Sequence, residues 1–240
     1  LFGRNAVRAA LESARPLRRV VISRESSGGP IEEIINLSRA AAIPFEFRPR
    51  SYLDRLVGRQ HQGVVAMVAI RAYADFDQLL ANLDRESFLV FLDRVQDPQN
   101  LGAIIRSACV VGADAVVIPQ RHSAGLTGSV AKASAGAIDH IPICCVNNLK
   151  QAIELTKETG FWITALSPKA SRPFTEIDYL GRTAIVIGGE ERGIRPTILA
   201  ACDNSVYIPM ASRQIGSFNA SVAAGIVLFE VQRRRLDTSQ

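Results

Sequence analysis

At 240 residues, 48% hydrophobic and 21% charged, the chain has the make-up of a soluble globular protein with one large domain or two smaller ones. No apolar run approaches the roughly 18 residues of a membrane span, so no membrane partner is expected. The formal net charge of +5 favours a polyanionic partner without naming one.

Leu1 to Ala10 holds Arg4 and Arg8 and no long apolar run, and so does not read as a signal peptide. A start on Leu1 rather than Met is expected to lie just inside the gene product. Asn5 to Ser13 reads as a helix and Arg19 to Ser23 as a short strand. After the loop Ser26-Ser27-Gly28-Gly29-Pro30 comes an amphipathic helix, Ile31 to Ala41, with Ile31, Ile34, Ile35 and Leu37 on its apolar face. Phe45 to Arg48 is strand-like. Ser51 can cap a short helix carrying Leu53, Leu56 and Val57. Val64 to Ile70 is a third strand. The polar stretch Arg71 to Asp77 then breaks the pattern, and a helix follows through Leu79, Leu80 and Leu83. This divides the chain into residues 1–70, a linker 71–76 and a second domain 77–240.

Six short apolar runs of the second domain read as strands: Phe88 to Leu92, Ala115 to Ile118, Ile141 to Val146, Trp162 to Leu166, Ala184 to Ile187 and Val206 to Ile208. Helical patterns fall between most of them, at Leu101 to Val111, Thr127 to Ala135 and Leu149 to Thr159, and a last one runs from Asn219 to Arg234. Apolar strands alternating with helices predict an α/β domain with a parallel sheet covered on both faces.

Arginines cluster at Arg15, Arg18 and Arg19, at Arg48 and Arg50, and at Arg233 to Arg235. Their forks suit phosphate, although each cluster alone reads more simply as a solvated face. The cysteines, Cys109, Cys144, Cys145 and Cys202, form no CxxC, and the three histidines are scattered. Neither a zinc site nor a disulfide framework is expected; buried free thiols in a reducing cytoplasm are.

In open parallel sheets ligands sit at the carboxyl ends of strands, which singles out three segments. In Asp93 to Arg106, a polar loop leads to Asn100, placed to cap a helix. Gly102 permits some close approach, and Arg106 lies on the same side by i,i+4 spacing. In Ile185 to Arg195, Gly188 and Gly189 let backbone approach a ligand, yet neither a dinucleotide fingerprint nor a P-loop is present. In Ile208 to Gly225, a polar loop leads through Ser217 to Asn219 at a helix start rich in small residues. Taken singly, each also reads as an ordinary capped helix or tight turn.

Together and in this order the segments resemble the three motifs of the SpoU family of RNA methyltransferases. Asn100-Leu101-Gly102-Ala103-Ile104-Ile105-Arg106 matches the first motif in full, and Gly188-Gly189-Glu190-Glu191-Arg192-Gly193 is similar to the second. Ile208-Pro209-Met210 with Ser217-Phe218-Asn219-Ala220-Ser221-Val222-Ala223 resembles the third. Gly3 to Val7 and His61 to Ala66 look like the small RNA-binding domain of many members. Arg121 to Gly136 is similar to members that methylate a guanosine ribose of 23S ribosomal RNA. Three departures are expected to reshape the pocket rim: Glu191-Arg192, Phe218 in place of Leu, and a long loop between Met210 and Ser217.

The resemblance implies a ribosomal-protein-like first domain, a second domain with a deep trefoil knot, a homodimer, and 2′-O-methylation of RNA from S-adenosylmethionine without a metal. It implies catalytic or positioning roles for Arg106, Asn100, Glu190, Ser217 and Asn219. It implies a cofactor pocket at Gly188, Gly189, Ile208, Met210, Phe218 and Leu166. Arg106, which stays protonated, is expected to hold a phosphate and stabilise the developing alkoxide rather than act as a base; Glu190 is the alternative proton acceptor. A transfer RNA ribose as substrate and a non-catalytic RNA-binding homologue are the rival readings.

Overall fold

Side chains of the strand Leu17–Ser23 turn alternately to two covered faces, and this organises the first part of the chain. The structure, a computed structural model, describes residues 1–13, 17–68, 72–211 and 216–238. It divides into two units, Leu1–Ile70 and Arg71–Gln240. The first contains α1 (Arg4–Glu12), β1 (Leu17–Ser23), α2 (Gly29–Ala40), β2 (Phe45–Arg48), α3 (Arg50–Val57) and β3 (Val64–Val68). The strand order is β2-β1-β3, with β1 parallel to β2 and antiparallel to β3. Val20 and Ile22 pack with Val7 and Leu11 of α1 and Ile31 and Ile34 of α2, while Val21 turns to Leu53 of α3. Two layers of helix thus cover one sheet, as strand alternation demands. His61 is fully buried; its Nδ1 accepts from the Gly63 amide at 2.9 Å, so its Nε2 donates to Asp54 at 3.0 Å.

The second unit contains α4 (Phe76–Ala81), β4 (Phe88–Asp93), α5 (Pro98–Val110), β5 (Ala115–Pro119), α6 (Gly128–Ala133), β6 (Ile143–Val146) and α7 (Leu149–Glu158). It continues with β7 (Trp162–Leu166), β8 (Arg172–Pro173), β9 (Thr183–Gly188), α8 (Pro196–Leu199), β10 (Asn204–Tyr207) and α9 (Ala220–Thr238). Its seven strands are all parallel, in the order β6-β5-β4-β9-β7-β10-β8. Every residue of β4 is buried. Val90 and Leu92 face Leu101 and Ile105 of α5 and Val227 and Val231 of α9, whereas Leu89 and Phe91 face Leu80, Ile153 and Ile198. The parallel sheet is therefore covered on both faces, as continuous apolar strands require.

Two arginines close the amino edge of this sheet. Arg182 donates to the carbonyls of Leu83, Asp84 and Thr159, and Arg235 to those of Tyr179, Gly181 and Glu86. The Arg233–Arg235 cluster is thus part of the framework rather than a free phosphate-binding face. Arg233 and Arg234 both grip Glu230, which is buried, and Arg233 also reaches Asp237 at 2.7 Å. Arg15 lies outside the described residues, while Arg19 and Arg48 both pair with Glu46.

Several boundaries differ from the sequence reading. Asp97, not Asn100, caps α5, its Oδ1 accepting from the Gln99 amide at 3.0 Å; Pro98 then takes the first helical position, where a missing N–H costs nothing. Ser51 sits inside α3, which starts behind Pro49. Asp75 caps α4 and the helix stops at Ala81, short of Leu83, while Ala74 already bridges to Cys144 in the second unit. Residues 69–71, the end of the third predicted strand and the start of the linker, lie outside the described residues. The strand β8 and the helix α8 were not anticipated; at two and four residues they are too short to show a period.

Candidate active site

Four strand ends stand side by side at the carboxyl edge of the large sheet. Asp93 of β4 is in register with Gly188 of β9, and Val206 of β10 with Leu166 of β7, which itself flanks β9. This places Gly188, Leu166 and Ile208 on adjacent strand ends. Leu166 and Ile208 are half-buried and pack on the α5/α9 side of the core, whereas Met210 and Phe218 are 40% and 41% exposed. Among the described residues an apolar edge is therefore left partly uncovered.

The loop after β9 is shaped by its glycines. A Cβ on Gly188 would stand 2.3 Å from the carbonyl carbon of Gly193, and one on Gly189 would stand 2.0 Å from the carbonyl oxygen of Arg94. Both therefore admit backbone of this chain itself. The Gly189 amide donates to Asp93 at 2.8 Å, and Gly193 returns to the Gly189 carbonyl at 2.9 Å. Asp93, fully buried, fixes the far side. It accepts from the backbone and the guanidinium of Arg195, each at 2.8 Å. This ion pair was not anticipated; its signals are the one carboxylate ending an apolar strand and an arginine just beyond a glycine turn. Gly102 has a comparable reason, since a Cβ there would meet Ala133 at 2.4 Å; the close approach is by α6.

One polar residue from each of the three segments, Asn100, Glu190 and Asn219, joins a single chain of hydrogen bonds. Asn219 caps α9, its Oδ1 accepting from the amides of Ser221 at 2.9 Å and Val222 at 3.3 Å and from the Ser221 hydroxyl. Its Nδ2 is thereby turned outward and donates to Asn100 Oδ1 at 3.1 Å. Asn100 is 8% exposed in the first turn of α5, and its Nδ2 donates to Glu190 Oε1. The order of donors and acceptors follows: backbone amides orient Asn219, Asn219 orients Asn100, and Asn100 Nδ2 is left a donor that the Glu190 carboxylate accepts. Ser217 and Phe218 lie on the exposed approach to Asn219, and the preceding residues 212–215 are outside the described set. Arg106 is exposed on α5, six residues or roughly 9 Å of helix beyond Asn100. Among the described residues no side chain pairs with it.

Burial raises the thiols of Cys144 and Cys202, to about 11 and about 12, and raises Cys145 as well. All four cysteines are free. Among the described residues no group of three or more His, Cys, Asp or Glu could hold a metal ion, and no helix is long and apolar enough to cross a membrane.

The class of this parallel sheet, whose carboxyl edge carries a turn, a capped helix and a half-buried polar relay, comes from its relatives. A model of the SpoU rRNA Methylase family matches residues 87–229, and one for RNA 2′-O ribose methyltransferase substrate binding matches residues 1–74. The chain belongs to the SpoU family of RNA methyltransferases. A Bacillus subtilis protein named for the TrmH family of tRNA/rRNA methyltransferases, YacO, is 40% identical over 238 residues, 98% of this chain and 95% of its own. The SpoU methyltransferase AviRb from Streptomyces viridochromogenes, solved with AdoMet, superposes with a TM-score of 0.74 at 25% identity, covering 99% of this chain and 90% of its own. An AdoMet-bound rRNA methyltransferase from Sinorhizobium meliloti shares the fold with a TM-score of 0.76 at 24% identity, over 97% and 86% of the two chains.

Proposed function

We propose that this protein is a 2′-O-ribose RNA methyltransferase that uses S-adenosylmethionine, acting in the cytoplasm on a guanosine of 23S ribosomal RNA. The observation that carries the reading is the Asn219–Asn100–Glu190 relay, which joins all three sequence segments at the one edge where a parallel sheet binds ligands. Intact Asn100, Arg106, Glu190 and Asn219 argue against a decayed, purely RNA-binding homologue. The AdoMet bound to AviRb and the substrate-binding match over residues 1–74 support cofactor and RNA respectively.

The partly uncovered apolar edge fits an adenine and a thioether chain. Leu166, Ile208, Met210 and Phe218 would hold these groups, and the Gly188–Gly189 backbone would border them. S-adenosylmethionine, when bound, supplies the activated methyl group. Glu190, at the open end of the relay, takes the 2′-hydroxyl proton directly or through a water. Asn100 and Asn219 hold that carboxylate in place, and Ser217 positions the substrate. Arg106 grips the adjacent phosphate and offsets charge on the 2′-oxygen; a guanidinium this basic cannot serve as the base. Fixing hydroxyl and methyl donor at one edge supplies much of the rate by proximity.

The reading extends to the whole molecule. Residues 1–70 are a ribosomal-protein-like RNA-binding domain, and the segment that joins it to the second domain ends before Ala74, which already pairs with Cys144. The second domain carries a deep trefoil knot, supported by the insertion of β9 between β4 and β7 and the doubling back of residues 188–195. Two copies pair through α9, where Val222, Phe229 and Leu236 repeat every seven residues at 50%, 62% and 56% exposure. Mapping of 2′-O-methyl groups in ribosomal and transfer RNA from a deletion strain tests the substrate. Loss of one guanosine methyl in 23S RNA is expected; loss confined to transfer RNA would replace the substrate with the rival one. Titration of S-adenosylmethionine in the presence of a chelator tests the cofactor.

A further inference from the structure

Among the described residues, the arginines of the second unit fall into two groups. Arg172, Arg182, Arg195, Arg233, Arg234 and Arg235 donate to carbonyls or carboxylates within the fold. Among the described residues, the side chains of Arg85, Arg94, Arg106, Arg121 and Arg192 have no hydrogen-bond or ion-pair partner. Arg85 precedes β4 on the amino edge. The other four belong to segments that leave the carboxyl edge.

Two of these segments carry a basic residue in the left-handed region. Arg94 has φ 64° and His122 φ 61°. Glycine is the residue of least strain there, so a long basic side chain held at such a position is a cost that calls for a use. The neighbouring backbone pins both. The Ala124 amide donates to the Val95 carbonyl at 2.9 Å, and the Gly189 amide to the Asp93 carbonyl at 2.8 Å, one bond on each side of Arg94. Ser123 adds a hydroxyl bond to the Val95 carbonyl at 3.4 Å. The loops of Arg121–His122, Arg94 and Glu190 are thus laced side by side. Of the carboxylates on these loops, Asp93 is engaged by Arg195, Asp97 by the start of α5 and Glu190 by Asn100. Among the described residues that leaves Glu191 alone to oppose the basic side chains.

We propose that Arg94, Arg121 and His122 form a phosphate-binding step that seats the RNA strand beside the ribose to be methylated. The inference deepens the RNA methyltransferase reading and rests on it. Phosphate contacts set register without reading sequence, and here they would fix which ribose reaches Glu190.

The test is binding and methylation of an unmodified 23S ribosomal RNA transcript by Arg94→Gly, Arg121→Gln, their double variant and Arg85→Gln as the amino-edge control. Each of the first two substitutions is expected to weaken RNA binding roughly two- to fivefold, as for one exposed ion pair. Each should also make the slope of log affinity against log salt shallower by about 0.7. The loss should fall on KM for RNA more than on kcat, with S-adenosylmethionine affinity held. Because glycine relieves the left-handed strain, Arg94→Gly should melt no lower than wild type while binding RNA less well, a combination that a structural role cannot produce. Arg121→Gln, on an exposed loop, keeps the test open if Arg94→Gly fails to fold. Wild-type affinity and salt slope in the double variant would overturn the proposal. So would an equal loss in Arg85→Gln, or a loss of S-adenosylmethionine affinity with RNA binding intact. A wild-type protein that methylates no RNA would instead remove the enzymatic reading, and the binding slopes would still judge this step.

Discussion

Asn219 has two separable duties, and separating them is the sharpest test of the relay. Asn219→Ala removes the cap of α9, which costs about 1 kcal/mol. It also strips the Asn100 carbonyl oxygen of its donor in a site only 8% exposed, for about 1–3 kcal/mol more. The sum is about 2–4 kcal/mol. At about 2–4 °C per kcal/mol for a domain of this size, the melting point should fall by roughly 4–16 °C. Asn219→Ser keeps an oxygen for the Ser221 and Val222 amides but cannot reach Asn100, so only the second cost remains. Asn219→Asp keeps the cap yet sets an acceptor against Asn100 Oδ1. The expected order of stability is wild type, then Ser, then Ala. Single-turnover methyl transfer at saturating RNA should fall in all three variants, because Glu190 loses its fixed orientation. Urea unfolding and single-turnover rates measure both duties. A Ser variant with wild-type rate would show that the relay does not position Glu190, and the chemistry assigned to this edge would have to be rebuilt.

Arg106→Lys keeps charge but loses the fork, so single-turnover rates should run wild type, then Lys, then Ala, with the Ala loss about 10²–10³-fold; near-normal rates in Ala would remove the assignment. Gly189→Ala and Gly188→Ala drive a Cβ into backbone at 2.0 and 2.3 Å and should cost about 3 kcal/mol or prevent folding, measured by urea titration. Hydrogen bonds from Arg233, then Arg234, hold the Glu230 carboxyl below its usual 4.5. Its contribution is therefore complete above that unfolded value and lost as pH falls through the lower folded one, so Glu230→Gln should flatten the acid limb of a stability–pH curve. Cys144 and Cys202, raised by burial to about 11 and about 12, should resist alkylation at pH 8 until the chain is unfolded, as peptide mapping would record.

Much of the architecture was readable because its strands are short apolar runs between turn residues, and such runs differ sharply from amphipathic helices such as α7. The polar residues that meet at the edge were readable as motifs, but not their connections. Nothing in the spacing of Asn100, Glu190 and Asn219 says that one amide hands its orientation to the next. That information lies in a contact 119 residues apart in sequence. Capping was misread for a local reason. Asp97 and Asn100 are both good caps, and Pro98 between them was the clue that the helix begins earlier. The glycines carried a real signal with the wrong partner: Gly102, Gly188 and Gly189 do admit something close, namely α6 and the chain's own loops. The Arg233–Arg235 cluster was a poor guide because a guanidinium suits a row of carbonyls as well as it suits phosphate, and Arg235 shows the former.

The place of β9 in the sheet also governs how the molecule is made. Phe88 of β4 pairs with Thr183 of β9, 95 residues later, and β9 separates β4 from β7. During synthesis β6, β5 and β4 can assemble early, but the open flank of β4 stays unpaired until β9 emerges and enters the gap. Pairing this distant is slow, because the entropy of closing the loop is lost before any contact repays it. Meanwhile an apolar, fully pleated flank stands exposed to other chains. Refolding of this unit should therefore be sluggish and concentration-sensitive, and a nascent chain halted before residue 183 should be the form that a holding chaperone retains.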